Sequence, residues 1–144
     1  MIRFVINGVI VFTLIVALTS CMAPILDVKD AQVKTLSGKE LTLDQVTKAI
    51  VLAGMGLKWE MNVASPGHIV ATLNLRGHQA VVDIPYNTST YSIIYKSSVN
   101  LTMTPVGKKV PVPQSPPDLI HSNYNSWINN LDHAIRTQFI AAGP

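Results

Sequence analysis

Apolar and polar residues alternate differently in successive stretches of the chain. From Phe4 to Leu18 there is no charge, and only Asn7, Gly8 and Thr13 interrupt an apolar run. Further on, Leu43, Val46, Ile50, Ala53 and Leu57 recur at spacings of three and four, one stripe of a helix. Thr42 followed three positions later by Gln45 is a capping-box pattern that starts such a helix. Gly54 and Gly56 offer places to stop it, so the spacing predicts a helix over 43–54. Period-two alternation then takes over. Trp59–Ala64 sets Trp59, Met61 and Val63 against Glu60 and Asn62; His68–Arg76 sets Ile69, Ala71, Leu73 and Leu75 against Val70, Thr72, Asn74 and Arg76. Gln79–Tyr86 turns Ala80, Val82, Ile84 and Tyr86 inward and Gln79, Val81 and Asp83 outward, and Tyr91–Lys96 puts Tyr91, Ile93 and Tyr95 on one face.

The connections between these strands are short. Ser65-Pro66-Gly67-His68 suits a type II turn, Arg76-Gly77-His78 turns the chain again, and Asn87-Thr88-Ser89 is polar turn material. Short connections between alternating segments mean antiparallel pairing, here a four-stranded meander with one face buried. A stretch from Thr104 to Asp118 carries Pro105, Pro111, Pro113, Pro116 and Pro117 with no apolar period, an inserted surface loop or a proline-rich recognition ligand. Beyond it, Tyr124, Trp127, Ile128, Leu131, Ile135 and Phe139 form the strongest helical stripe in the chain, over 123–141. Helix, four strands, helix is an α+β order. Both kinds of element need cover, and a two-layer packing with the two helices on one sheet face supplies it.

Composition redirects attention to the N-terminus. The chain of 144 residues suits one domain, and its mean hydropathy of +0.31 is high because so much apolar character lies before residue 19. Arg3 and the free amine form a positive n-region, Val9–Leu18 an apolar h-region, and Thr19-Ser20 a small-residue cut site, the layout of a secretory signal. An uncleaved membrane anchor is the other reading. The apolar stretch is about 15 residues, short of the roughly 20 that span a bilayer. Leu18-Thr19-Ser20-Cys21 resembles a bacterial lipobox. The resemblance implies a diacylglycerol on the Cys21 thiol, cleavage before Cys21 and acylation (palmitate or similar) of the new amine. It makes 1–20 a signal peptide and 21–40 a lipidated N-terminus and tether, with a short strand around 31–36. A single α+β domain then occupies 41–144. Each buried methylene of such chains contributes about 0.8 kcal/mol, so two or three chains anchor stably. Met22 stands where an Asp would favour inner-membrane retention, so a Gram-negative host would carry the protein at the periplasmic face of its outer membrane. Cys21 is the only cysteine, which excludes an internal disulfide.

Charge adds little. Arg3 is the only charged side chain in 1–20, which leaves a net +2 on the remainder, with Lys108-Lys109 the only adjacent basic pair. Nucleic acid would call for a clustered basic stripe, so no nucleic-acid partner is expected. His68, His78, His121 and His133 form no i, i+4 pair and lack ligand-spaced carboxylates, so no metal or other cofactor is expected. A half-buried hydrogen-bonding role suits His78, and His121 stands where it can cap the last helix. No nucleophile elbow or paired carboxylate marks a catalytic centre, and no catalytic residue is assigned. Asp83, Arg76 and Lys96 read instead as cross-strand charge pairs on the solvent face.

Several motifs also suggest relatives: Gly56-Leu57-Lys58-Trp59, Pro66-Gly67-His68-Ile69, Leu75-Arg76-Gly77-His78-Gln79-Ala80, Ile84-Pro85-Tyr86, Tyr91-Ser92-Ile93-Ile94-Tyr95-Lys96-Ser97, and Ile120-His121-Ser122-Asn123-Tyr124-Asn125-Ser126-Trp127. Over roughly residues 43–136 they resemble an uncharacterised family of short proteobacterial lipoproteins. In that family the Tyr-Ser-Ile strand leads to a Tyr-Asp pair and a short turn. Here Leu101-Thr102-Met103-Thr104 replaces the tyrosine and the proline-rich insert lengthens the turn. The resemblance implies the fold and an envelope location, and leaves function open.

Two surfaces are the candidate binding sites. The first is the open sheet face of Val70, Thr72, Asn74, Arg76, Val81, Asp83, Ile94 and Lys96, a small apolar patch with a charged rim. The second is the cluster of Tyr86, Tyr91, Tyr95, Asn123, Tyr124, Asn125 and Trp127, whose positions also fit core packing with satisfied polar tips. The expectation is a non-enzymatic lipoprotein that binds an envelope protein or polymer. The alternatives are an enzyme or small-ligand carrier with an inconspicuous site, or a structural envelope component.

Overall fold

A computed structural model describes residues 21–101 and 119–143; residues 1–20, expected to be a signal peptide, and the proline-rich stretch 104–118 lie outside the described residues. In chain order the elements are β1 (Met22–Pro24), β2 (Val28–Gln32), α1 (Leu43–Gly56), β3 (Glu60–Ser65), β4 (His68–Leu75), β5 (His78–Pro85), β6 (Thr90–Val99), β7 (Leu119–His121) and α2 (Ser122–Ala142). The class is α+β. Strands β2-β6-β5-β4-β3 form a five-stranded antiparallel sheet, and β1 pairs with β7 in a small second sheet.

Local chemistry accounts for the element boundaries. Thr42 Oγ1 accepts from the Gln45 backbone N–H at 3.3 Å while Gln45 Oε1 accepts from the Thr42 N–H at 2.9 Å, so the capping box is complete. At the other end Trp59 N–H donates to Gly54 C=O and Lys58 N–H to Met55 C=O. This is a Schellman closure with Lys58 at φ +67° in the left-handed position usually given to glycine. It swings Trp59 into the core, where it is 3% exposed. Gly54 is buried where Met61 of β3 crosses α1, and a Cβ there would collide with the Met61 thioether. Gly67 sits at φ +85° in the β3–β4 connection, as the third position of a type II turn demands.

The sheet buries the expected face except at Val63 of β3 and Leu75 at the end of β4, which are exposed. Ile69, Ala71 and Leu73 of β4, Ala80, Val82 and Ile84 of β5, and Tyr91 and Ile93 of β6 join Val46 and Ile50 of α1 and Ile128, Leu131, Ile135 and Phe139 of α2 in one core cluster. The helices also pack against each other. Strand β6 continues past the expected end at Lys96 because it carries a bulge. Val82 pairs with Tyr95 but Val81 with Ser97, so Lys96 is an extra residue and the alternation changes parity there. Tyr95 and Ser98, three apart, consequently share a face, and their hydroxyl oxygens lie 3.0 Å apart.

Two expectations need correction. The meander has a fifth strand, and the stretch after Cys21 is no free tether. β1 begins at Met22, β2 lies beside β6, and Val33 N–H donates to Ser89 C=O. The strand expected over 31–36 is instead Val28–Gln32. Its alternation is illegible because β2 is a short edge strand with a register shift between Val28 and Ala31, Asp30 at φ +50°, and Ala31 as its one buried residue. Side chains complete the docking where ladder bonds run out. Asn125 of α2 accepts from Leu26 N–H at 3.0 Å and donates to Pro24 C=O at 2.8 Å, and Asp27 Oδ1 accepts from Tyr95 N–H at 2.9 Å. Since a hydrogen bond contributes about 1 kcal/mol net, Asn125→Ala is expected to lower the unfolding free energy by about 1–2 kcal/mol. Urea denaturation measures that loss, and limited proteolysis should show the first cuts moving to 22–32.

Candidate functional site

The outward face of the five-stranded sheet carries no helix of the described residues' core cluster. Register places its residues in rows: Asn62, Val70, Asp83 and Ile94 cross β3 to β6, and Glu60, Thr72 and Val81 form the next row. Val70, Thr72, Val81, Asp83 and Ile94 are half-buried by their neighbours, whereas Asn74, Arg76 and Lys96 are exposed. The structure thus gathers seven of the eight expected surface residues on this face. Arg76 is the exception, for it occupies the β4–β5 turn at φ +51° and makes no ion pair among the described residues.

Asp83 organises the face. Its Oδ1 accepts from Lys96 Nζ at 2.9 Å and lies 2.8 Å from His68 Nε2. Lys96 lies two residues beyond Ile94, the partner of Asp83, and so stands on the same face diagonally from Asp83. His68 reaches Asp83 diagonally, because Val70 faces Asp83 and His68 lies two residues before Val70 on the same face. The Lys96 pair was expected, but the His68 contact was not, although the hairpin register implied by Arg76-Gly77 carries it. Partial burial pushes the Asp83 carboxyl up, but hydrogen bonds and charge from Lys96 and His68 outweigh this and hold it below the ordinary carboxylate range. A lowered folded-state pKa stabilises the fold above the ordinary value, and that contribution is lost as pH falls through the folded one. Exposed pairs contribute about 0.2–1 kcal/mol. Asp83→Asn should therefore cost no more than that at neutral pH, and its unfolding curve should converge on the parent's below about pH 4. Denaturant titrations across that window check both points.

The tyrosine cluster belongs to the core. Tyr91, Tyr86 and Tyr124 are buried and Tyr95 packs against them from β6. Three of the tips are satisfied. Tyr86 Oη lies 2.7 Å from Thr47 Oγ1, Tyr95 pairs with Ser98, and Tyr91 Oη donates to Asp132 Oδ1 at 2.5 Å, with Arg136 Nε on Asp132 Oδ2 at 2.9 Å. Burial, then the Asp132 hydrogen bond and charge, push the Tyr91 phenol well up. The fourth departs from expectation: Tyr124 Oη is buried with no hydrogen-bond partner among the described residues. Its ring meets that of Tyr95 edge-on, and burial followed by the Asp27 charge raises its pKa. Leaving such a group unsatisfied costs about 1–3 kcal/mol, so Tyr124→Phe should raise the unfolding free energy by about 1 kcal/mol. A drop in the melting midpoint would instead mean that the hydroxyl has a partner.

The histidines are dispersed. His121 accepts from Asn123 N–H through Nδ1 at 3.2 Å and caps α2, and its ring stacks with that of His78 at 6.4 Å. His78 Nδ1 lies 2.7 Å from Asn100 C=O. Among the described residues no group of three or more His, Cys, Asp or Glu converges on a point that would hold a metal. A concavity of about 490 Å³ lies between the loop of Val33–Glu40 and the β5–β6 turn and is lined chiefly by Lys34, Thr35, Lys39, Glu40, Ser89 and Thr90. A narrower groove of about 160 Å³ runs between the end of α1, the end of β4 and Trp127. Comparison with protein-family models, curated proteins and solved structures returns no match to this chain.

Proposed function

We propose that the chain is a lipid-anchored envelope lipoprotein, related to short proteobacterial lipoproteins, whose α+β domain acts by binding a protein or envelope polymer. The observation that carries the binding reading is the one-sided sheet. Val70, Val81 and Ile94 lie half-buried on a face that no described helix covers, with Asp83 between Val70 and Ile94 and His68 and Lys96 paired to it. Aliphatic positions ringed by charge are the composition of a docking patch. A turnover reading fits less well, because Lys96 and His68 both spend their contacts on the same Asp83 oxygen. Neither is left poised against an empty position as a nucleophile or base must be. The lipobox at Leu18–Cys21 supports the address: a lipoprotein held through Cys21, at the outer membrane of a Gram-negative host.

A photo-crosslinking residue placed at Val81 should capture a partner in intact cells, whereas the same probe at Gln138 on α2 should not. Equal capture from both positions, or none from Val81, would sink the sheet-face reading. Cys21→Ala should abolish acyl labelling and leave the precursor uncut; normal processing of that variant would refute the anchor.

A further inference from the structure

Cys21 is built into the fold. Its carbonyl accepts from Ser122 N–H at 2.7 Å, and the next residue, Met22, pairs with His121. His121 N–H in turn donates to Leu101 C=O at 2.8 Å, and the His121 ring stacks on His78, which faces Leu75 across the β4–β5 hairpin. Cys21, the start of α2, the β4–β5 turn and the end of β6 therefore share one end of the molecule. The close of α1 is there too, because Leu57, Trp59, Leu75 and Trp127 line the same groove of about 160 Å³.

Three aliphatic side chains are open to solvent at the end that holds Cys21. Leu57, Leu75 and Val99 are 36%, 38% and 51% exposed. Lys58 and Arg76 stand among them, both exposed and both outside any ion pair of the described residues. Each occupies a left-handed position, at φ +67° and +51°, where glycine would fit with less strain. Glu60, two residues on from Lys58, is turned to the outward sheet face, where its carboxylate accepts from Asn74 Nδ2 at 3.5 Å. Exposed aliphatics beside a half-buried Trp127, with two cations outside the ion pairs of the described residues, suit the boundary between phospholipid headgroups and acyl chains.

We infer that this end rests on the membrane that holds the anchor, with Leu57, Leu75 and Val99 entering the interface and Lys58 and Arg76 meeting lipid phosphates. The inference rests on the lipoprotein reading above. The lipid would emerge from a residue fixed in the fold, so the domain is held in one orientation and does not swing on a leash. The strands rise away from the bilayer, and the β5–β6 turn at Ser89 stands roughly 25 Å off it, at about 3.3 Å per residue of strand. The open sheet face then stands clear of the lipid.

The test uses the full chain, purified with its acyl groups and reconstituted in vesicles of phosphatidylcholine with phosphatidylglycerol that carry a brominated-lipid quencher. Since Cys21 is consumed by lipid, Leu75→Cys and Ser89→Cys each accept one environment-sensitive fluorophore. The Leu75 probe should shift to the blue and be quenched, while the Ser89 probe stays solvent-like. Lys58→Gln combined with Arg76→Gln should weaken docking by roughly fivefold per cation, from about 1 kcal/mol per basic residue at an anionic surface. That loss should vanish in phosphatidylcholine alone. Equal exposure of the two probes on acylated protein overturns the docked orientation and leaves the anchor intact. Mass spectrometry that finds no acyl group on Cys21 overturns both.

Discussion

One apolar layer holds the domain together. Ile69, Ile84 and Ile93 from the sheet meet Ile50, Ile128 and Ile135 from the helices with no exposed surface left on any of them. With a single cysteine, the chain has no internal disulfide to supplement that layer. Burial of each such side chain contributes about 1.5–3 kcal/mol, and nothing else in the fold acts on this scale. Because strand side chains alternate, committing one face to the helices obliges the other to face outward. The Val70–Val81–Ile94 strip is the necessary complement of the core. Its polar partners follow from the same parity, Lys96 included, since the bulge changes the alternation only beyond it.

Legibility in the sequence followed the strength of the periodic signal. Helix α1 was readable because its stripe and its capping box agree, and α2 because five residues spaced along one face are fully buried. Strands β4 to β6 were readable because deep burial on one side enforces alternation, and β3 because Met61 and Val63 keep the period although neither is fully buried. Strands β1, β2 and β7 were not. They are edge pieces of three to five residues, paired over sequence separations that no local pattern encodes, as Met22 with His121. For the same reason the sheet-face residues were identified as a set from parity alone, whereas the His68–Asp83 contact depended on register. The misplaced expectation for Arg76 arose because parity continues through a residue that the turn has already taken out of the strand.

Polar side chains at the margin of the core favour one register. Thr47, Asp132 and Ser98, all half-buried, each meet a tyrosine hydroxyl, so a slipped register would break several hydrogen bonds together. Tyr124 is the exception, and its hydroxyl contributes nothing to that discrimination. The surfaces available for recognition are therefore rigid ones, set on strands and capped turns whose side-chain directions the core dictates.

The pairing of β1 with β7, together with Ser37 Oγ bonded to the Gly143 carbonyl at 3.2 Å, joins the beginning of the domain to its end. A chain made or exported from its N-terminus presents Met22–Gln32 long before Leu119–Gly143 exists to receive it. The meander and α1 contain mostly neighbouring contacts and can form early, while the closing contacts span some hundred residues, the slow part of any folding reaction. Until α2 arrives, the apolar sheet face that Ile128, Leu131 and Ile135 cover stays bare to other chains. The interval between emergence of the first strand and arrival of the last helix is the period in which this domain is exposed to misassembly.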